Sequence, residues 1–241
     1  MKIDYVIMGS DSNPMYLDFW PIVSKVWKEK FNIVPVLGLI CDEDSEMYSD
    51  EYGIIKKFKK IDNVDVGLQS QIVRLFLPKF LNGSCLISDI DMMPLSVDYF
   101  NKNSEELNYE NIVIYSSDNP ECLREKMYPM CYILSHSEVF KKIFKLDVDW
   151  TFFTEELKNR NQGWYTDQKF IYEKINDYHS ENKNCVFLNR GWNGVADNRI
   201  DRINWNYDIE KLKMGYYIDS HLLRPYKRYE TEINNLVNII L

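Results

Sequence analysis

The hydrophobic positions of this chain alternate between two rhythms. Residues 2–8 read as a strand, and 33–41 form a continuous apolar run of the kind shown by strands buried on both faces. Between them Leu17, Trp20, Val23, Val26 and Trp27 recur near helical spacing, after a Pro14 suited to a first helical turn and with Pro21 placed to split or kink the helix. Gly9-Ser10-Asp11-Ser12-Asn13 is turn chemistry between strand and helix, so the opening reads as βαβ. Leu68, Ile72, Leu75, Phe76 and Phe80 form one helical stripe within 68–81, ahead of Gly83, the short strand Cys85-Leu86-Ile87 and the string Ser88-Asp89-Ile90-Asp91.

Interleaving continues in the second half. Strands are expected near 112–115, 131–134 and 185–188, and helices near 139–144, 152–158 and 167–175. Tyr229, Ile233, Leu236, Val237 and Ile240 share one face, so the last segment should dock on the body rather than trail. No internal repeat, low-complexity tract or linker interrupts the pattern. The economical expectation is one α/β domain, doubly wound in its first half and more irregular in its second.

Composition and charge remove several classes of function. With 241 residues, 45% of them hydrophobic, the chain can bury a sizeable core, and 9 Gly and 8 Pro argue against fibrous or disordered classes. The net charge of −8, with Lys and Arg scattered singly or in pairs, gives no basic stripe for a nucleic-acid backbone, so none is expected as a partner. The longest apolar runs hold about nine residues, too few for a membrane span, and the first residues lack the pattern of a secretory signal. Five cysteines without C-x-x-C spacing suggest neither a disulfide framework nor a structural zinc site, so the expected location is the reducing cytoplasm.

In open α/β sheets ligands bind beyond the carboxyl ends of the strands, which places Gly9, Ser10 and Asp11 on the ligand side through their position after the first strand. Asp89 and Asp91 flank Ile90 in extended backbone and point the same way. They form either an oxygen-rich site for a hard divalent cation or a solvated strand end that caps the next turn. Arg74 lies two positions from Ile72, roughly 200° round the helix, so it projects off the apolar stripe toward an anion or toward water.

The stretch SQIVRLFLPKFLNGSCLISDIDMMPL, residues 70–95, resembles the central segment of GT-A-fold glycosyltransferases: a helix with R-x-x-x-P, a strand, D-x-D and an apolar-Pro close. It is most similar to glycogenin-like and lipopolysaccharide-galactosyltransferase-like enzymes, and to the small glycosyltransferases of large DNA viruses. The resemblance implies a GT-A (Rossmann-like) mixed sheet flanked by helices, with a nucleotide-binding half over 1–95 and an acceptor-binding half over 96–241. It also implies Mn²⁺ or Mg²⁺ held against the diphosphate of a nucleotide sugar, with UDP favoured by family habit. Carried over, Asp91 binds the metal directly, and Asp89 binds the metal, the ribose or both.

Two further segments fit this pattern. Tyr216-Tyr217-Ile218-Asp219-Ser220-His221-Leu222-Leu223-Arg224-Pro225-Tyr226 looks like the family's C-terminal His followed by a basic-Pro-aromatic element. It implies His221 as third metal ligand and Arg224 at the diphosphate. The family's longer form places its basic residue further on, after a glycine absent here, and a partly buried histidine is the structural alternative. Gly163-Trp164-Tyr165-Thr166-Asp167-Gln168 resembles both the Asp-Gln element beside the sugar in retaining members and the aromatic-acid loop that holds a base in inverting ones. Asp167 is then the catalytic candidate, whereas the bland reading makes Thr166 an N-cap and Asp167 a first-turn acid. Tyr128 to Tyr132 line an acceptor cleft or belong to the core.

The expected activity is metal-dependent transfer of a sugar from a nucleotide sugar to a glycan or other hydroxyl acceptor. The alternative is a non-catalytic nucleotide- or glycan-binding module on the same scaffold. A sugar-nucleotide pyrophosphorylase would carry a Gly-rich, Arg-containing first loop, which MGSDSN is not. A D-x-D phosphatase would carry its acidic pair on the first strand.

Overall fold

The structure is a computed structural model that describes every residue other than Gly194 and Asp197. The chain runs through β1 (Tyr5–Asp11), α1 (Pro14–Leu17), α2 (Trp20–Glu29), β2 (Val34–Cys41), β3 (Tyr48–Ser49), β4 (Ile54–Lys59), α3 (Val66–Phe76), β5 (Ser84–Ile87) and β6 (Met92–Pro94). It continues with α4 (Val97–Lys102), β7 (Ile112–Tyr115), α5 (Pro120–Glu125), β8 (Ile133–His136), α6 (Ser137–Phe144), α7 (Trp150–Asn159), α8 (Thr166–Asn182) and β9 (Cys185–Leu188). It closes with β10 (Trp192–Asn193), β11 (Val195–Ala196), β12 (Arg199–Asp201), α9 (Ile209–Lys213), β13 (Asp219–His221) and α10 (Glu230–Ile240).

The main sheet has the order β3-β4-β2-β1-β5-β8-β7-β9. Strands β1, β2, β4 and β5 are parallel, whereas β8 runs antiparallel to both β5 and β7, so the sheet is mixed. Successive side chains of β1 enter opposite cores: Val6 and Met8 pack with α2 and α10, and Ile7 packs with α3, α6, α7 and α8. That alternation is why the apolar runs are continuous, and each fully buried Leu, Ile or Phe contributes roughly 1.5–3 kcal/mol. Ile233, Leu236 and Val237 of α10 are buried in the first of these cores, as their shared face requires.

Several boundaries differ from the sequence pattern. Strand β1 extends through Asp11, so Gly9, Ser10 and Asp11 belong to the strand and its end rather than to a turn. The turn begins at Asn13, which caps α1 by accepting from the Met15 amide at 3.0 Å ahead of Pro14. Pro21 sits in the first turn of α2, and the proline-rich stretch is thereby split into two helices. The helix expected over 68–81 ends at Phe76 and passes into a 3₁₀ turn at Leu77–Phe80 around Pro78, whose missing N–H cannot continue the ladder. Strand β8 starts two residues later than expected, and α8 continues to Asn182, beyond its apolar stripe.

Two features aim this scaffold at one point. Gly9 lets α3 lie against β1, since a β-carbon there would collide with the Ser70 carbonyl and come within 2.7 Å of a Val73 methyl. A small second sheet has the order β12-β13-β6. Its register sets His221 opposite both Met92 and Asp201, which carries a residue from near the end of the chain to the acidic pair.

Candidate active site

A cavity of about 640 Å³, within the usual range for small-ligand sites, opens at the carboxyl ends of β1 and β5. Gly9, Ser10, Asp11, Arg74, Asp89, Asp91, Asp167, His221 and Arg224 all line it, so these nine candidate residues border one space. Ser10 is buried and its hydroxyl donates to the Asp11 carbonyl at 2.9 Å, while Asp11 accepts from the Asn13 amide at 3.0 Å.

Arg74, expected to face an anion or water, faces two anionic side chains at the cavity wall. Its side chain is 7% exposed and bridges two carboxylates: it pairs with Asp89 through Nη1 and with Asp167 through Nη2 at 2.9 Å. Burial works against the guanidinium charge, but the two carboxylates outweigh it and Arg74 is held above its ordinary pKa. Burial likewise opposes ionisation of Asp89, and Arg74 reverses the balance, so Asp89 lies below the usual carboxylate range.

Asp167 is fully buried, with Oδ2 on Arg74 and Oδ1 accepting from the Gln168 amide at 2.8 Å. Burial pushes its pKa up, only partly offset by Arg74. Both oxygens of Asp167 are engaged, Oδ2 holding Arg74, and the residue borders the cavity. Thr166 is not the N-cap of α8. It is the first residue of α8, and its hydroxyl donates back to the Gly163 carbonyl at 2.8 Å. Of the candidate acceptor aromatics, Tyr128 and Tyr132 are buried in the two cores, while Met130 reaches the cavity.

Asp91 is buried, and burial raises its pKa despite the cations around it. Its Oδ2 accepts from Arg202 Nη2 at 2.7 Å, with Arg224 Nε at 3.7 Å and His221 Nε2 at 3.9 Å. The Nδ1 of His221 lies 3.4 Å from Asp201, which leaves Nε2 turned toward Asp91. Burial disfavours the charged imidazole, but Asp201 and Asp91 together raise its pKa above the ordinary value. Arg224 donates to the Tyr16 hydroxyl at 2.8 Å and lies over that ring, 5.1 Å from its centroid, which holds the guanidinium at the cavity wall.

Arg202, Asp201 and Tyr16 are functional neighbours that the sequence pattern does not disclose. They sit in no motif, and β12 is too short to show a period. Trp164 also lines the cavity and is 63% exposed, with its carbonyl accepting from Gln71 at 3.3 Å. Among the described residues, no three His, Cys, Asp or Glu side chains stand ready as metal ligands. Arg74 and Arg202 hold the acidic pair instead.

The fold is that of GT-A glycosyltransferases, as the D-x-D segment implied. The galactosyltransferase LgtC, solved with donor and acceptor sugar analogs, superposes with a TM-score of 0.54 at 11% identity over 98% of this chain and 96% of that one. A glycosyltransferase involved in glycosylation of the major capsid of PBCV-1 gives 0.51 at 9% identity, over 97% and 99%. The bifunctional glycosyltransferase WbbM gives 0.51 at 12% identity over 98% of this chain and 49% of its own. No protein-family model and no curated protein sequence matches the chain.

Proposed function

We propose that this chain is a glycosyltransferase that moves a sugar from a nucleoside diphosphate sugar, UDP being favoured, to a hydroxyl of a glycan or similar acceptor. The observation that carries the reading is the convergence of Asp89, Asp91, His221 and Arg224 on one cavity at the carboxyl ends of parallel strands, on a fold shared with sugar transferases. Transfer develops positive charge at the anomeric carbon and negative charge on the departing diphosphate.

The chemistry of three side chains, though not their present spacing, suits a divalent cation. Two carboxylates and one imidazole face a common space, and Asp201 on Nδ1 orients His221 as outer carboxylates commonly orient metal-binding histidines. Asp89, Asp91 and His221 would hold Mn²⁺ or Mg²⁺, imidazole favouring Mn²⁺, and the ion would supply charge neutralisation to the leaving diphosphate.

The protein's own groups do the rest. Arg224, fixed on Tyr16, presents positive charge to the phosphates. Arg74, anchored by Asp167, keeps Asp89 ionised and aimed into the cavity. Gly9, Ser10 and Asp11 form the wall for the nucleoside, and the exposed indole of Trp164 offers a flat apolar face where a sugar can stack. Among the described residues no helix is long and apolar enough to cross a membrane.

The test is turnover across a panel of UDP- and GDP-sugars with metal-stripped protein and added Mn²⁺ or Mg²⁺. Release of the nucleoside diphosphate that is restored best by Mn²⁺ is the expected result. Nucleotide binding with no turnover in any combination would make the chain a binding module.

A further inference from the structure

Arg202 stands where a cation would be required. It follows β12 directly, on a turn closed by the Asn204 amide donating to the Asp201 carbonyl at 3.1 Å, and it reaches the buried Asp91 carboxylate at 2.7 Å. Neighbouring side chains of the same segment are fixed in other tasks. Arg199 pairs with Asp219 at 2.9 Å, and Asp201 lies 3.4 Å from His221 and accepts the Ile203 amide at 2.9 Å.

Arg202 itself is under-engaged. Its Nε and Nη1 are buried with no partner among the described residues, and one nitrogen of the fork carries the whole contact with Asp91. A guanidinium with orphaned donors is held less firmly than one whose fork is fully paired. Its side chain is 14% exposed, and the next residue, Ile203, is 84% exposed, so the turn faces solvent and the side chain has somewhere to go.

We propose that Arg202 is a built-in counter-ion that occupies Asp91 when no metal is bound and is displaced when a divalent cation enters. The proposal rests on the cation reading of the site given above. Without Arg202 the buried Asp91 would lose the one arginine in hydrogen-bond contact with it, leaving Arg224 and His221 beyond that distance. A divalent ion carries twice the charge of a guanidinium and approaches a carboxylate oxygen more closely, about 2.1 Å for Mg²⁺, so it wins the exchange once present. Arg202 is thus a positioning residue that sets the threshold of metal loading and keeps the acidic pair from being an open site.

Mn²⁺ alone, titrated into the full chain and followed by the paramagnetic resonance signal of the free ion, tests this. Arg202→Met should bind Mn²⁺ about tenfold more tightly than the unsubstituted protein, the equivalent of one charged hydrogen bond no longer competing. Arg202→Lys, which keeps the charge but not the planar fork, should fall between the two. Metal-free Arg202→Met should also melt lower than the unsubstituted protein and gain a larger upward shift from Mn²⁺. Equal or weaker Mn²⁺ binding by Arg202→Met, with binding by the unsubstituted protein intact, overturns the counter-ion role and leaves the metal site standing. No Mn²⁺ binding by any of the three proteins removes the metal site and the counter-ion together.

Discussion

Two buried carboxylates, Asp219 in β13 and Asp91 just ahead of β6, behave in opposite ways. Asp219 takes four arginine hydrogen bonds: Arg190 at 2.7 and 2.9 Å and Arg199 at 2.9 and 3.0 Å. Burial opposes its charge, yet the two guanidinium groups hold its pKa well below the ordinary value. Asp91 takes one arginine hydrogen bond, from Arg202, and burial leaves its pKa raised. Neither Asp219 nor its two arginines line the cavity, whereas Asp91 does. The saturated carboxylate is scaffold that fastens β13 to β12 and to Arg190, and the unsaturated one keeps capacity for a ligand.

That contrast is breakable. Asp219→Ala should have the largest effect, removing about 3–5 kcal/mol of stability because it leaves two buried arginines without their shared partner. Chemical denaturation of the full chain reads it. Asp91→Asn should fold, and should lower nucleotide-sugar turnover by about 10²–10³-fold in steady-state assays, since charge stabilisation at the leaving group is lost.

The acid limb sharpens the comparison further. A carboxylate whose folded pKa is depressed contributes stability above its ordinary value of 3.8, and that contribution fades as pH falls toward the folded pKa. Asp91 and Asp167, with raised folded pKa values, act in the opposite direction. Stability measured below about pH 4 should therefore fall less steeply in Asp219→Asn than in the unsubstituted protein. The smallest effect expected is at the cavity rim: Trp164→Ala should raise the acceptor KM roughly threefold to tenfold and leave donor hydrolysis unchanged.

The sequence discloses the site better than it discloses what holds the site. Asp89, Asp91, His221 and Arg224 are legible because a motif places them, and all four reach the cavity. The partners of Arg74 are not legible, since Asp167 lies 93 positions away and no local pattern encodes that pairing. Strand β4 hides behind the lysines of Ile54–Lys59, and β6, β12 and β13 are too short to show a period although they carry the geometry that matters most. Thr166 has the chemistry of a cap but sits one residue inside the helix, a distinction set by the Gly163 turn rather than by composition.

The most direct measurement is anomalous diffraction from crystals grown with Mn²⁺ and UDP. The account predicts a manganese peak shared by Asp91 and the Nε2 of His221, with Arg202 withdrawn from the carboxylate and the diphosphate beside Arg224. A diphosphate seated in the cavity with Arg202 still on Asp91 and no manganese between that carboxylate and His221 would contradict it.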